Sequence, residues 1–458
     1  MDKTKKSSQP HLSLDPVAGN GLLDRRLFLQ KGLTFTALTA VATATPSVIA
    51  KASRGPEKQA EIDPIRPAWM RQPGKAFSSY GVPSSYEDKV VRLPSANPVL
   101  QGNGASWSPL HQLEGTITPN GLHFERHHNG VPQIDPEHHK LLIHGMVEKE
   151  SFFTINALMR YPHRSQTCFV ECGGNSNSSW NKNASKSPVG YTHGLVSCSN
   201  WAGVPLSTLL SEVGVKKKAR WLIAEGADAF AMNMSIPLEK AMDDAMLALF
   251  QNGERLRPEN GYPMRLLVPG WEGVLNVKWV RRIELSDQPV MARNETSKYT
   301  ELLPSGKSRI FTLEMHAKSL ITSPVSSTFI PEPGLFQISG LAWSGRGKVK
   351  KVEVSADNGE TWAEAALDGP IIPKAFTRFR MPWRWDGKPA YLKSRVTDET
   401  GYVQPERDEL VANRGRHGYF HYNAIMTLAV EDDGFVTHVY RAEDDNQDPG
   451  SLGIDADW

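Results

Sequence analysis

Apolar residues along this chain fall into short runs rather than long periodic stretches. Leu141-Leu142-Ile143-His144 and Trp221-Leu222-Ile223-Ala224 have the length of buried strands. Pro205-Leu206-Ser207-Thr208-Leu209-Leu210 reads as a helix opening, because proline is tolerated in a first turn. Residues 238–250 have helical composition, with apolar residues suited to one buried face. Met264-Arg265-Leu266-Leu267-Val268-Pro269-Gly270 reads as a strand ending in a turn. The elements show no regular βαβ alternation and no G-x-G-x-x-G, so a dinucleotide fold is not supported.

From about residue 320 the pattern changes. Val352, Val354 and Ala356 alternate with Lys351, Glu353 and Ser355. Asp357-Asn358-Gly359 supplies a turn, and Glu360-Thr361-Trp362 starts the return strand. Residues 335–343, 391–397 and 424–430 add further strands, and strands at this spacing predict an antiparallel sandwich over 320–435. Residues 96–310, which mix helices and strands, form a separate domain. Residues 51–95, rich in Pro, Ser and Gly with Trp69, Tyr80 and Tyr86 interleaved, read as an extended arm that wraps a surface. Residues 436–458 read as an acidic, solvated tail.

The N-terminus bears on compartment. Asp24-Arg25-Arg26-Leu27-Phe28-Leu29 precedes a short, weakly apolar stretch, and Val48-Ile49-Ala50 is an A-x-A-like cleavage site. Together they predict a twin-arginine export signal over residues 1–50 and a periplasmic protein that folds before export. No run is long and apolar enough for a membrane span. Without residues 1–50 the chain holds 46 basic and 47 acidic residues, a balance that argues against nucleic acid as a partner.

Three cysteines are present: Cys168, Cys172 and Cys198. No pair forms C-x-x-C, which argues against zinc fingers, iron–sulfur clusters and attached c-type haem. Cys172 stands out because Gly173, Gly174 and Asn175 follow it. Small neighbours let a soft thiolate approach a bulky cofactor, and such a ligand suits a redox metal. Cys168 and Cys198 are read as packed. The histidines His123, His127, His128, His138, His139 and His144 suggest a rival reading as a copper- or zinc-binding protein, although no H-E-x-x-H is present. A further rival is a secreted sandwich that binds partners without catalysis.

Five separated segments resemble, in order and spacing, the sulfite oxidase family of molybdenum enzymes. They are Phe124-Glu125-Arg126-His127-His128, Cys172-Gly173-Gly174-Asn175, Glu225-Gly226-Ala227-Asp228, residues 264–270, and Asn276-Val277-Lys278-Trp279-Val280. The resemblance covers roughly residues 95–430. It implies an α+β chain, with a sulfite-oxidase-type molybdopterin-binding domain followed by an immunoglobulin-like β-sandwich that mediates dimerisation. Within the family, Ser197-Cys198-Ser199-Asn200-Trp201 and Gly401-Tyr402-Val403-Gln404-Pro405 resemble the molybdenum subunits of periplasmic sulfur-oxidising systems. That implies oxidation of sulfite or carrier-bound sulfane sulfur. It also implies a homodimer within a hetero-oligomer, with electrons leaving to a separate c-type cytochrome because no haem domain lies on this chain. A reductase of the same fold, acting for example on sulfoxides, is the nearest rival.

The same resemblance implies roles. Cys172 would ligate molybdenum held by one molybdopterin with oxo ligands. Arg126 would face the substrate. His128, Asp228, Arg265, Asn276, Val277 and Lys278 fall at pterin positions, and Phe124, Glu125 and His127 belong to the same segment as Arg126. Asn260 stands where the family has a pterin-contacting histidine, and Tyr191 where it has a pocket-wall tryptophan. Arg414 resembles a C-terminal-domain arginine that reaches the pocket. The chain departs from the animal enzymes in two further places. Ser176 and Asn177 occupy the region of a second arginine, and Met232 replaces an active-site tyrosine. A site with one cation fewer would capture a free dianion less well, which points to sulfur carried on a protein.

Overall fold

The computed structural model describes residues 16–25, 70, 73–310, 313–415 and 420–440. Residues Gly32–Val90 form a unit of their own. Its described part holds one 3-10 turn, Ser85–Glu87, whose cap Ser84 accepts from the Tyr86 amide at 3.2 Å. Tyr80 and Tyr86 are exposed, and Trp69 lies outside the described residues.

The first domain of the remaining unit is built from two five-stranded sheets and a small three-stranded one, among the described residues. One five-stranded sheet runs Asn233–Pro237, Trp221–Gly226, Val280–Ser286, Lys140–Gly145, Ser151–Thr154, with a single parallel pair between Val280–Ser286 and Lys140–Gly145. The other sheet pairs Arg164–Glu171 with Val196–Pro205 and then Met246–Gln251, which carries Arg265–Leu267 and Glu254–Arg255. The helix Leu206–Val213 begins directly after Pro205, as the sequence predicts, and buries Leu206, Leu209, Leu210 and Val213 between these sheets.

Residues 238–250 do not form one helix. A short helix, Leu238–Asp243, stops and the chain turns into the strand Met246–Gln251. Asp244 leaves helical geometry, and its carboxylate takes Lys240 and Lys374, each at 2.6 Å. Met246, Leu247, Ala248 and Leu249 are all buried, so the strand is covered on both faces and shows no alternation that would separate it from a helix.

The second domain is the expected sandwich. One sheet holds Lys318–Ser323, Gly334–Trp343 and Thr377–Trp385. The other holds Val349–Ser355, Ala390–Asp398, Thr427–Val430 and Phe435–Val439. Residues 357–359 make the predicted turn, with Asn358 and Gly359 at φ 61° and 95°. The return strand starts later than the sequence suggests, at Ala363–Glu364, because Asp357 caps the Thr361 amide at 2.9 Å and keeps residues 357–361 in the turn. The tail boundary also moves. Residues 436–439 belong to the strand Phe435–Val439, with Val436 fully buried, and the residues from 441 on lie outside the described set.

Two features tie the unit together. The sandwich core continues into the first domain, where Phe169, Val196 and Cys198 join Trp343, Phe376 and Phe379. The Phe169 amide donates to Lys374 O at 2.9 Å. Residues 16–25, just before and at the arginine pair, also belong to the sandwich. Leu22 pairs with Trp383, the Arg384 amide donates to Gly21 O at 2.8 Å, and Leu22 and Leu23 are buried. Gly21, at φ +83°, is required there: a Cβ would sit 2.0 Å from Arg384 O. Arg26 and the cleavage site at 48–50 lie outside the described residues.

Candidate active site: a cationic cavity around Cys172

The strand Arg164–Glu171 delivers Cys172 to the cavity. Its pairing ends at Glu171 opposite Val196, and the Cys172 amide then donates to Leu195 O at 2.9 Å. The chain turns at once, with the Asn175 amide donating to Cys172 O at 2.9 Å. The loop after Trp271 packs directly against this turn. A Cβ on Gly273 would lie 2.7 Å from Glu171 O and 3.1 Å from Cys172 Cα, so only glycine allows that approach. Cys172 is half-buried, whereas Cys168 and Cys198 are buried, as the sequence reading assumed. Burial pushes the Cys172 thiol up, partly offset by the Arg126 guanidinium.

Cys172 faces a cavity that opens to solvent; its empty space, open mouth included, is about 750 Å³. Of the residues named from the sequence, Phe124, Arg126, His127, His128, Cys172, Asp228, Asn260, Arg265, Asn276, Val277 and Lys278 line it. Segments spread over more than a hundred residues of sequence therefore converge on one site.

Each wall residue has a local reason for its place. Arg126 and His127 lie in the strand Glu125–His127. Arg126 donates to Asn103 Oδ1 at 3.3 Å and to the His127 carbonyl, and its Nη2 lies 3.5 Å from His128 Nδ1. His128 stacks on Phe230 at 4.3 Å. Burial, then the Arg126 charge, brings its pKa down to about 3, so the ring is neutral. Lys278 donates to His127 Nδ1 at 2.8 Å and to the carbonyls of Arg126 and Glu259, each at 3.2 Å. That fixes the proton of His127 on Nε2, which donates to Glu125 at 2.9 Å. Burial, then Arg265, pushes the Lys278 pKa well down. Trp279 follows at φ 53°, a strained value for an aromatic residue, and its indole N–H donates to Pro258 O at 2.9 Å.

Arg265 is buried, with its Nη atoms donating to Asn260 O at 3.0 Å and Asn276 O at 2.9 Å. Burial pushes its pKa down to about 10. The Asn276 side chain holds the loop: its Oδ1 accepts from the Val268 amide at 2.7 Å, and its Nδ2 donates to Glu272 O at 3.1 Å. Asp228 sits in the turn after Trp221–Gly226, with Oδ1 3.4 Å from the Met232 amide.

Three sequence-named residues stand elsewhere. Glu125 is turned to Arg92 and His127, outside the cavity lining. Tyr191, in the helix Val189–His193, packs edge-on to His111 at 5.1 Å. Arg414 is buried behind the site, paired with Glu301 and donating to His421 O at 2.7 Å. None of the three lines the cavity. Conversely, sequence reasoning missed Tyr299, which lines the cavity, stacks on Phe420 at 4.5 Å and lies against Gly173. It also missed Glu272, whose Oε1 would come within 3.2 Å of a Gly173 Cβ. Burial, then Glu301, raises the Glu272 pKa to about 8. Neither residue sits in a motif; only the fold brings them to Cys172.

The donor set fits a pterin-type cofactor. Within the cavity wall His123 Nε2, Asn260 Oδ1 and Arg265 Nε are buried without a protein partner. His123 Nδ1 lies 3.0 Å from Phe124 O, which requires the proton on Nδ1 and leaves Nε2 as an acceptor. Two acceptors, a guanidinium donor and the Arg126 cation complement a polar heterocycle bearing an anionic group. Half-buried Cys172 offers the soft ligand for a metal. The rival histidine site is not assembled: among the described residues no three His, Cys, Asp or Glu side chains group to hold a metal. His138 is exposed beside Asp135, and His139 lies 3.0 Å from Val280 O.

Comparison with known proteins agrees with this chemistry. Residues 128–294 match the oxidoreductase molybdopterin binding domain, and residues 309–427 the Mo-co oxidoreductase dimerisation domain. The chain therefore carries an oxidoreductase molybdopterin binding domain followed by a Mo-co oxidoreductase dimerisation domain, on an α+β fold. It is 31% identical to mitochondrial sulfite oxidase of Rattus norvegicus over 71% of this chain and 64% of that one. It is 32% identical to nitrate reductase [NADH] 2 of Phaseolus vulgaris over 65% of this chain and 36% of that one. The chain thus spans less than two thirds of these relatives' length. The crystal structure of the sulfane dehydrogenase SoxCD from Paracoccus pantotrophus superposes with a TM-score of 0.79 at 46% identity, covering 84% of this chain and 99% of that one. This protein belongs to the sulfite oxidase family of molybdopterin enzymes.

Proposed function

We propose that this protein is the molybdenum subunit of a sulfur-oxidising dehydrogenase that acts on sulfite or on protein-bound sulfane sulfur. The observation that carries the reading is the convergence of Cys172, Arg126, Arg265 and Lys278 on one cavity. Likeness to the sulfane dehydrogenase SoxCD supports the substrate class. When bound, the molybdenum–pterin group supplies oxygen-atom transfer and storage of two electrons. Cys172 would hold the metal. Arg265, His123 and Asn260 would bind the pterin, and Lys278 would hold that wall in place through His127 and the Arg126 and Glu259 carbonyls. Arg126 would orient an anionic sulfur group through its guanidinium. Electrons then pass to a separate c-type cytochrome, and the sandwich pairs two copies of the chain. The arginine pair Arg25-Arg26 and the A-x-A-like site at 48–50, read as an export signal, would place the protein in the periplasm.

Ser176 and Met232 stand where the animal enzymes have an arginine and a tyrosine, which favours sulfur presented on a carrier protein over free sulfite. The nitrate reductase relatives favour a second reading, in which the same cavity reduces an oxyanion.

The test is elemental analysis of the purified protein with Cys172→Ser as control, followed by turnover assays. About one molybdenum per chain is expected, with oxidation activity lost by at least about 1,000-fold in the variant. Reduction of cytochrome c by carrier-bound sulfur, faster than by free sulfite, supports the dehydrogenase. Nitrate-dependent oxidation of a reduced dye without sulfur oxidation supports the second reading, and a metal-free protein from cells that make the cofactor overturns both.

A further inference from the structure

The turn that bears Cys172 is held from the other domain. Lys318 opens the sandwich strand Lys318–Ser323 and is 1% exposed. Its Nζ donates to Glu171 Oε1 at 3.2 Å and to Ser176 Oγ at 2.6 Å. These residues flank the Cys172 turn on both sides. Glu171 is equally buried. Its Oε2 accepts from the Trp343 indole N–H, again a sandwich residue, at 2.7 Å, and its Oε1 also accepts from Asn175 Nδ2 at 2.9 Å. Asn175 Oδ1 in turn accepts from the Leu195 amide at 3.0 Å. Ser176 Oγ lies 2.6 Å from His193 Nδ1.

Two physical facts give this arrangement its direction. Ser176 sits at φ 67°, a left-handed conformation that a non-glycine residue keeps only under restraint from its surroundings. A buried ammonium is costly unless paired, and the hydrogen bonds of Lys318 Nζ go to the Cys172 turn rather than to its own sheet. Lys318 thus gains its hydrogen-bond partners when the turn is in this conformation, and it adds a restraint from the sandwich to those that Asn175, Trp343 and His193 supply.

We propose that Lys318 is a positioning residue. From the sandwich domain it clamps the Cys172 turn through Glu171 and Ser176, and so sets where the thiol stands for the metal. The sandwich then serves the active site of its own chain as well as dimerisation. The inference rests on the reading of Cys172 as the metal ligand.

The test uses the full chain, prepared both with cofactor and from cells unable to make the pterin. In the cofactor-free chain the readout is the rate of Cys172 alkylation by iodoacetamide, with buried Cys168 and Cys198 as silent internal controls. In the loaded chain it is molybdenum per chain. Lys318→Met is expected to speed alkylation by at least about ten-fold, and to lower metal content, because the turn loses its restraint. Glu171→Gln combined with Lys318→Met removes both buried charges, so thermal stability should recover. Alkylation should stay fast in that double variant, because Ser176 still lacks its donor. Lys318→Arg should restore slow alkylation. Wild-type alkylation and full metal uptake in the double variant would overturn the proposal, because Lys318 would then serve only to neutralise Glu171. A double variant that fails to fold would also overturn it, by making the contact a folding requirement. If the wild-type chain itself takes up no molybdenum, the proposed function falls, while the alkylation rates still decide the clamp.

Discussion

Two arginines are buried to nearly the same degree, Arg378 in the sandwich at 1% exposure and Arg265 in the cavity wall at 4%. Arg378 uses all of its nitrogens. It donates to the carbonyls of Gly115 and Leu113 at 3.0 and 3.1 Å, and to the hydroxyls of Thr322 and Ser339 at 3.3 and 3.2 Å. It thereby sews the loop at 113–115 to the strands Gly334–Trp343 and Lys318–Ser323. Arg265 donates to two carbonyls, and its Nε has no protein partner. Its neighbours His123 and Asn260 likewise each leave one acceptor unpaired. A buried polar network that is complete within the protein is structure; one left incomplete around a cavity is prepared for a ligand. Burial alone does not separate the two, but the partner count does.

The contrast can be broken most directly at Arg378. Arg378→Met removes four hydrogen bonds, two to loop carbonyls and two to buried hydroxyls, and should cost about 4 kcal/mol of stability with no direct effect on cofactor content. Denaturant midpoints of the cofactor-free chain measure this. A loss below about 1 kcal/mol would place Arg378 in the same class as Arg265.

A second test concerns Glu272, beneath the Cys172 turn, whose pKa burial and Glu301 raise to about 8. Unfolding returns this carboxyl to its usual value of 4.5. Between those two values the folded chain keeps a proton that the unfolded chain releases. Stability therefore falls as pH rises through that window, at about 1.4 kcal/mol per unit. Glu272→Gln removes the dependence. The variant should match wild type near pH 4 and exceed it by about 4 kcal/mol at pH 8, as read by melting in the cofactor-free chain. A difference that stays flat across this range would show that Glu272 is ionised in the fold.

Much of this was legible in the sequence because its signals are local. Alternation at Val352 and Val354 with the Asp357-Asn358-Gly359 turn marked the sandwich, and that hairpin is present. The segments around Arg126, Cys172 and Asn276 resembled one family, and they converge on one cavity. What stayed hidden depends on contacts between distant segments. Met246–Gln251 looked helical because burial on both faces erases alternation. The docking of Leu22 against Trp383 has no signature beyond two leucines and the glycine before them. Tyr299 and Glu272 reach Cys172 only through the folded loops, and Lys318 reads as an ordinary strand lysine until Glu171 is seen beside it.

The smallest expected stability change is the most informative. Arg265→Met removes a guanidinium whose burial lowers its pKa to about 10 and so disfavours the charged form in the fold. The same substitution leaves Asn260 O and Asn276 O without their donors, a loss of about 2 kcal/mol together. The two effects oppose each other, so the cofactor-free variant should melt within about 1 kcal/mol of wild type. Molybdenum content should nevertheless fall at least about ten-fold, because the unpaired Nε and the charge are what an anionic cofactor would bind. Measuring both quantities on the same preparations sharpens the contrast with Arg378. If the Arg265 variant lost several kcal/mol and kept its metal, the incomplete network would be a structural knot like the sandwich arginine, and pterin anchoring would have to rest on His123 and Asn260.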